Sequence, residues 1–383
     1  MSNINTYFTD FLQDIRLTEN QRNDLKRGHS TLRDRLMSDE SLSKYIVTTF
    51  LQGSYRRSTA IRPVGDKRAD VDVIVVTKLD RNSVTPQKAI DLFIPFVEKH
   101  YKGKYRVQGR SIGIELSYVD LDIVITSAPS EADSQLLKSR SVTTDVALED
   151  LTANYDWRFT NAWSDQDLIK GYTLSEAVRK APEWQLEPLW IPDRDAACWV
   201  ETHPIEQIRW TRDKNKSTNR HYINVVKAVK WFRLIKITDI KHPKGYPIEH
   251  MIGDCCPNGI ESVAEGVCKT LEAIVSNYRT DRILERTPAL PDRGVPSHNV
   301  WKRIKPKDFI KFYDHIVNYA KIARQALDTK TLKEQVAKWQ ELFGDKFPDA
   351  PEDKENGSNR NYLSSGGFTE RDAPTVIGGG RFA

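Results

Sequence analysis

The chain has 383 residues, 39% of them hydrophobic, and is long enough to bury a substantial core as one large unit or as two joined domains. Its 58 basic and 53 acidic residues leave a formal charge of +5, a mild surplus that suits phosphate ligands but is too small to favour a strongly basic groove for RNA. No run approaches the roughly 18 consecutive apolar residues of a membrane span, the opening MSNINTYFTDFLQDI has no signal-peptide pattern, and Cys198, Cys255, Cys256 and Cys268 form no CxxC pair, so a cytoplasmic protein with reduced thiols is expected.

Thr18 and Gln21 form a capping-box pair, and Leu25, Leu32 and Leu36 recur at helical spacing, which predicts an amphipathic helix to about residue 37. YIVTTFLQ at 45–52 reads as a strand that ends abruptly at Gly53-Ser54. A basic segment with Arg56, Arg57, Arg62, Lys67 and Arg68 follows; most of these cations are expected on a solvated loop. VDVIVVT at 71–77 reads as a buried strand, Thr85-Pro86 opens a helix that ends before Lys102-Gly103, and SIGIELSY at 111–118 and VDLDIVIT at 119–126 read as two further strands. The stretch from about 130 to 203 carries no clear pattern. Beyond it, helices are predicted near 204–216, 221–236, 258–278, 306–328 and 331–343, the last bounded by Thr331, Glu334 and Gly344. After Pro348 the composition turns polar and glycine-rich, predicting a disordered tail.

The chemistry lies in the strands. Residues two apart on a strand share a face, so Asp70 and Asp72 project together, and Asp120 and Asp122 repeat the arrangement. Ionised carboxylates in interior strands are costly unless they are paired or hold a metal, and clustered oxygen donors select Mg2+, with Mn2+ as the alternative, over zinc. Gly53-Ser54 provides a turn whose backbone N–H and hydroxyl can approach phosphate oxygens without a β-carbon in the way at the glycine.

Taken together, LQGSYRRSTAIRP, ADVDVIVV and YVDLDIVIT resemble the polymerase β-type nucleotidyltransferases, and specifically the cGAS/DncV-like enzymes (CD-NTases) of bacterial antiphage (CBASS) defence. The resemblance implies an α+β fold: a nucleotidyltransferase core with a mixed sheet over residues 1–203, a helical domain over 204–347 that completes the nucleotide pocket, and a flexible tail over 348–383. It implies Asp70, Asp72 and Asp122 as catalytic and metal-binding acids, Asp122 rather than Asp120 because it directly precedes the apolar IVIT run. It implies Gly53, Ser54 and Thr59 as nucleotide-binding. NVVKAVKWFR resembles the family's triphosphate-binding helix, which points to Lys230 and more weakly to Lys227. PKGYPIEHMIG resembles its SYxxE signature, with Tyr246 at the nucleotide and Gly245 where a serine is usual.

Within the family the chain looks most like clade D enzymes. The function implied is synthesis of a cyclic oligonucleotide, expected to be a purine-containing trinucleotide, from ATP and GTP-type substrates, with a downstream effector reached through the product. The terminal GGGRFA resembles tails that E1/E2-like machinery conjugates through the last residue, here Ala383. Three rival readings use some of the same residues: a template-independent RNA or poly(A)-type polymerase, a non-catalytic nucleic-acid sensor on this scaffold, and an antibiotic-modifying transferase, which shares the GS and DxD motifs but leaves the Lys230 and Tyr246 region unexplained.

Overall fold

The structure, a computed structural model, describes residues 4–128 and 188–350. The described residues up to Asp349 form one compact unit. Of the tail expected over 348–383, residues 351–383 with the Ala383 end lie outside the described residues.

Seven described strands form one mixed sheet. β1 (Ile46–Gln52) runs antiparallel to β2 (Asp70–Thr77), and β2 runs parallel to a strand far along the chain, Asp120–Ser127. Between those two come β3 (Tyr105–Val107) and β4 (Ile112–Glu115), so Asp120–Ser127 is β5, flanked antiparallel by β4; β3 forms the edge. β6 (Leu189–Asp193) meets the end of β5 and pairs with β7 (Cys198–Thr202). These last two lie in the stretch for which the sequence offered no pattern.

Alternation along β2 and β5 divides the apolar residues between two faces. Val71, Val73 and Val75 join Leu121, Ile123 and Ile125 in the main core. Against them pack Leu25, Leu32 and Leu36 of α2 (Glu19–Ser38). The other face places Ile74 and Val76 with Val47, Phe50 and Leu189, and that is the face shared by Asp70 and Asp72. α2 starts where the sequence placed it, with both bonds of the capping box formed: Gln21 N donates to Thr18 Oγ1 at 3.2 Å, and Thr18 N donates to Gln21 Oε1 at 2.9 Å.

The helix expected after Thr85 is broken into α4 (Pro86–Asp91) and α5 (Ile94–Tyr101). Pro95 explains the break: it lacks an N–H, sits in the first turn of α5 and cannot continue α4. The short α3 (Gly53–Arg56) follows β1.

The C-terminal half contributes α6 (Pro204–Ser217), α7 (Tyr222–Lys236), α8 (Tyr246–Cys255), α9 (Val263–Asn277), α10 (Arg279–Ile283), α11 (Pro306–Asp328) and α12 (Leu332–Phe343). α9 begins only at Val263, where the Ser262 side chain caps it, five residues later than the sequence suggested. The chain also opens with a helix the sequence reading passed over, α1 (Ile4–Ile15). Its Phe8 and Phe11 insert between Trp339, Phe343 and Phe347, Phe11 stacking on Phe343 at 4.4 Å between ring centres. Among the described residues no helix is long and apolar enough to cross a membrane.

Candidate active site

Gln52 ends β1, and the chain turns at Gly53, whose φ of +79° lies where side chains other than glycine's are strained. A β-carbon at this position would overlap Asp72 Oδ2. The turn therefore passes against an acid of the next strand only because residue 53 has no side chain. Ser54 follows directly, and its carbonyl accepts from the N–H groups of Thr59 and Ala60 at 2.9 and 3.1 Å, folding the basic segment back on itself.

The parallel pairing of β2 with β5 sets Asp70 beside Asp120 and Asp72 beside Asp122. Asp120 is engaged by Arg68, whose Nε donates at 2.8 Å. Asp122 accepts from Gln108 Nε2 at 3.0 Å. Burial and the neighbouring Asp70 and Asp122 push the Asp72 carboxyl up to about 7. Asp70 is raised by burial against the opposing pull of Lys230, and Asp122 by burial and by Asp70. The acids are aligned but not closed into a cage: among the described residues, no three acid, histidine or cysteine side chains are gathered to enclose an ion.

A second set of charged groups borders the same cleft as Asp70 and Asp72. Glu249 of α8, its side chain 4% exposed, accepts from Arg57 Nε at 3.3 Å and from the adjacent guanidinium nitrogen at 3.2 Å. It accepts from Thr59 Oγ1 at 2.9 Å and, through its other oxygen, from Lys230 Nζ at 2.8 Å. Burial opposes ionisation of Glu249, but Lys230 and Arg57 outweigh it and hold its carboxyl below the usual range. Lys230 Nζ also donates to the Thr59 carbonyl at 2.8 Å. The Arg57 guanidinium lies 5.1 Å from the centre of the Tyr246 ring.

These groups border an open cleft of about 560 Å³, lined among others by Gly53, Ser54, Asp70, Asp72, Lys230 and Tyr246. Six of the residues singled out from the sequence thus meet in one place. Two do not line the cleft. Asp122 stands beside Asp72 but is turned to Gln108, and Thr59 is 1% exposed with its hydroxyl committed to Glu249, so it supports the cleft from behind instead of facing a nucleotide. Lys227 is buried away from the cleft. Arg56 and Arg57 are buried, although most of the basic segment was expected on a solvated loop; Arg57, Arg62, Lys67 and Arg68 line the cleft. Gly245 departs from serine for a backbone reason, since its φ of +62° and ψ of −139° at the start of α8 fall in a region nearly exclusive to glycine.

Glu249, Arg57 and Gln108 were not among the residues singled out. Glu249 is the final letter of the SYxxE-like segment, and that was the available signal. Gln108 had none, because a single glutamine in a loop is indistinguishable from surface.

The profile of the Second Messenger Oligonucleotide or Dinucleotide Synthetase domain matches residues 1–129, which include Gly53, Ser54 and all four strand acids. Over 376 residues the chain is 46% identical to a cyclic AMP-AMP-GMP synthase of Enterobacter hormaechei, covering 96% of each. The chain belongs to the cGAS/DncV-like nucleotidyltransferases. Members of this family are metal-dependent enzymes that make cyclic oligonucleotide second messengers from nucleoside triphosphates in antiphage defence. A cyclic AMP-AMP-AMP synthase of an Acinetobacter species is 29% identical over 346 residues, covering 89% of this chain and 84% of that one. Among solved structures, the CD-NTase CdnG of Bradyrhizobium diazoefficiens in complex with GTP aligns with a TM-score of 0.62 over 90% of this chain and 95% of that one, at 12% identity. That level of identity speaks to the fold alone, an α+β nucleotidyltransferase fold with a mixed sheet. Family membership favours cyclic products over the polymerase and sensor readings.

Proposed function

We propose that the chain joins purine ribonucleotides into a cyclic trinucleotide in the cleft beside β2, with Asp70, Asp72 and Asp122 as the catalytic, metal-holding acids. The observation that carries this reading is the register of β2 and β5, which brings the two acid pairs side by side at a glycine turn. The ring of three is supported by the two named relatives, both called trinucleotide synthases. Assignment to clade D rests on the sequence resemblance.

The donor set fits Mg2+, or Mn2+ in its place: every ligand is a hard carboxylate oxygen, and the acids are crowded enough that each is raised by its neighbours or by burial. When bound, the metal supplies a Lewis acid that acidifies the acceptor hydroxyl and offsets phosphate charge. Ser54 and Lys230 hold the β and γ phosphates of the donor, and two of the three N–H groups of Lys230 are already fixed by Glu249 and the Thr59 carbonyl. Gly53 lets the protein backbone of the turn come close to the donor phosphates, and Tyr246 lines the wall against which the nucleotide lies. The acceptor 3′ or 2′ hydroxyl attacks the α-phosphorus in line, the bond to the β-phosphate breaks, and pyrophosphate leaves. Two such bonds make the linear trinucleotide; a third, after the chain turns round in the same cleft, closes it.

The proposal includes a cytoplasmic reaction and a downstream effector reached through the product. Conjugation of Ala383 by E1/E2-like machinery is a further part of the proposal, carried by the GGGRFA sequence.

The test is pyrophosphate release by Asp70→Asn and Asp72→Asn variants whose circular dichroism matches the parent. Release is expected to vanish in both. Full activity in either one would remove the assignment.

A further inference from the structure

We infer that Glu249 is a positioning residue that holds Arg57 and Lys230 back from Asp72 and Asp70, keeping the acids open to metal and an N–H of Lys230 available to the donor triphosphate. The inference rests on the site assignment above and extends it to Glu249, a residue at the edge of the cleft that acts through Arg57 and Lys230.

Four features support it. Glu249 gathers hydrogen bonds from Arg57 and Thr59 of the turn after β1 and from Lys230 of α7, and both carboxylate oxygens are used. Its side chain is 4% exposed, so its charge has to be met by protein groups, and Arg57 and Lys230 meet it. Those same two cations are felt by the acids: Arg57 pulls on Asp72, and Lys230 pulls on Asp70. Finally, both cations have long flexible stems in a water-poor region, where an unanchored cation moves onto the nearest carboxylate.

Without the negative charge of Glu249, the nearest anions left to Arg57 and Lys230 are therefore the acids assigned to the metal. Direct ion pairs would form there, compete with a divalent cation, and withdraw Lys230 from the triphosphate position. Thr59 acts in the same frame, since its carbonyl and its hydroxyl fix Lys230 and Glu249 respectively.

The experiment measures Mn2+ binding to the nucleotide-free protein by electron paramagnetic resonance, and ATP binding by equilibrium dialysis, alongside thermal melting. Glu249→Gln keeps the shape and removes the charge. It should weaken Mn2+ binding by about tenfold or more, as loss of a supporting partner does at other metal sites, and weaken ATP binding as well. Adding Arg57→Gln to Glu249→Gln should restore part of the Mn2+ affinity, because the released cation is gone; a structural prop alone would give no such recovery. A lowered melting temperature with Mn2+ and ATP affinities unchanged would overturn the inference. If the parent binds Mn2+ and Asp72→Asn does not weaken it, the site assignment itself fails.

Discussion

The α-carbons of Asp72 and Asp122 are direct partners across the parallel β2–β5 pair, and Gly53 presses on the Asp72 carboxylate from the neighbouring turn. The first prediction follows from that contact. Gly53→Ala places a methyl where Asp72 Oδ2 lies and forces a strained φ of +79° on alanine. Displacing one acid of the group by an ångström is enough to cost about a hundredfold in turnover, with a stability loss of about 1–3 kcal/mol for the strained backbone. Steady-state kinetics and urea unfolding of the same variant measure both. Unchanged turnover would mean that the turn does not set the position of Asp72.

A second prediction concerns pH. The Asp72 carboxyl stands at about 7 in the folded protein against an ordinary 3.8. A carboxyl raised by folding favours the protonated state, so the metal-free protein loses stability as pH rises from about 4 to about 7, by a few kcal/mol. Divalent cation replaces the proton, and the rise in melting temperature on adding Mg2+ should be larger at pH 8 than at pH 6. Asp72→Asn should raise the metal-free melting temperature at pH 8 and remove most of the Mg2+ increment. Equal Mg2+ increments at the two pH values would contradict this.

Gly245 offers a third test. Serine is usual here in the family that the segment resembles, and a β-carbon would meet nothing within 4 Å. The backbone, at φ +62° and ψ −139°, nevertheless disfavours any side chain. Gly245→Ser should therefore destabilise by about 1–3 kcal/mol and not tighten triphosphate binding. A stable variant with a lower KM would show that α8 can begin in another conformation.

The fourth concerns the packing of α1 against α12. Phe11 is fully buried and stacked on Phe343. Phe11→Ala should cost about 3–5 kcal/mol in urea unfolding, as large aromatic truncations in a core do, while KM in the folded fraction stays unchanged. A change in KM would reveal that the cluster also positions the cleft.

What could be read from the sequence followed periodicity. Asp70 and Asp72 were visible as one face of a strand because alternation is rigid, and their partnership with Asp120 and Asp122 followed once two apolar strands carried the same spacing. The capping pair Thr18 and Gln21 fixed a helix start to the residue. The rest depended on tertiary contact. Glu249 carried a signal only as the last letter of the SYxxE-like segment and Arg57 only as one cation of a basic run, and their meeting across 192 positions is what makes a buried pair. α1 was legible too, with Tyr7, Phe8, Phe11, Leu12 and Ile15 on one helical face, and was passed over all the same; the β6–β7 pair lacked the alternation that marks a strand.

The central claim is tested most directly by incubating the purified protein with all four ribonucleoside triphosphates and Mg2+, treating with phosphatase, and weighing the surviving products by mass spectrometry. The expected result is a phosphatase-resistant species with the mass of three purine nucleotide residues and no free ends. A ladder of linear chains, or a resistant ring of only two nucleotides, would contradict it.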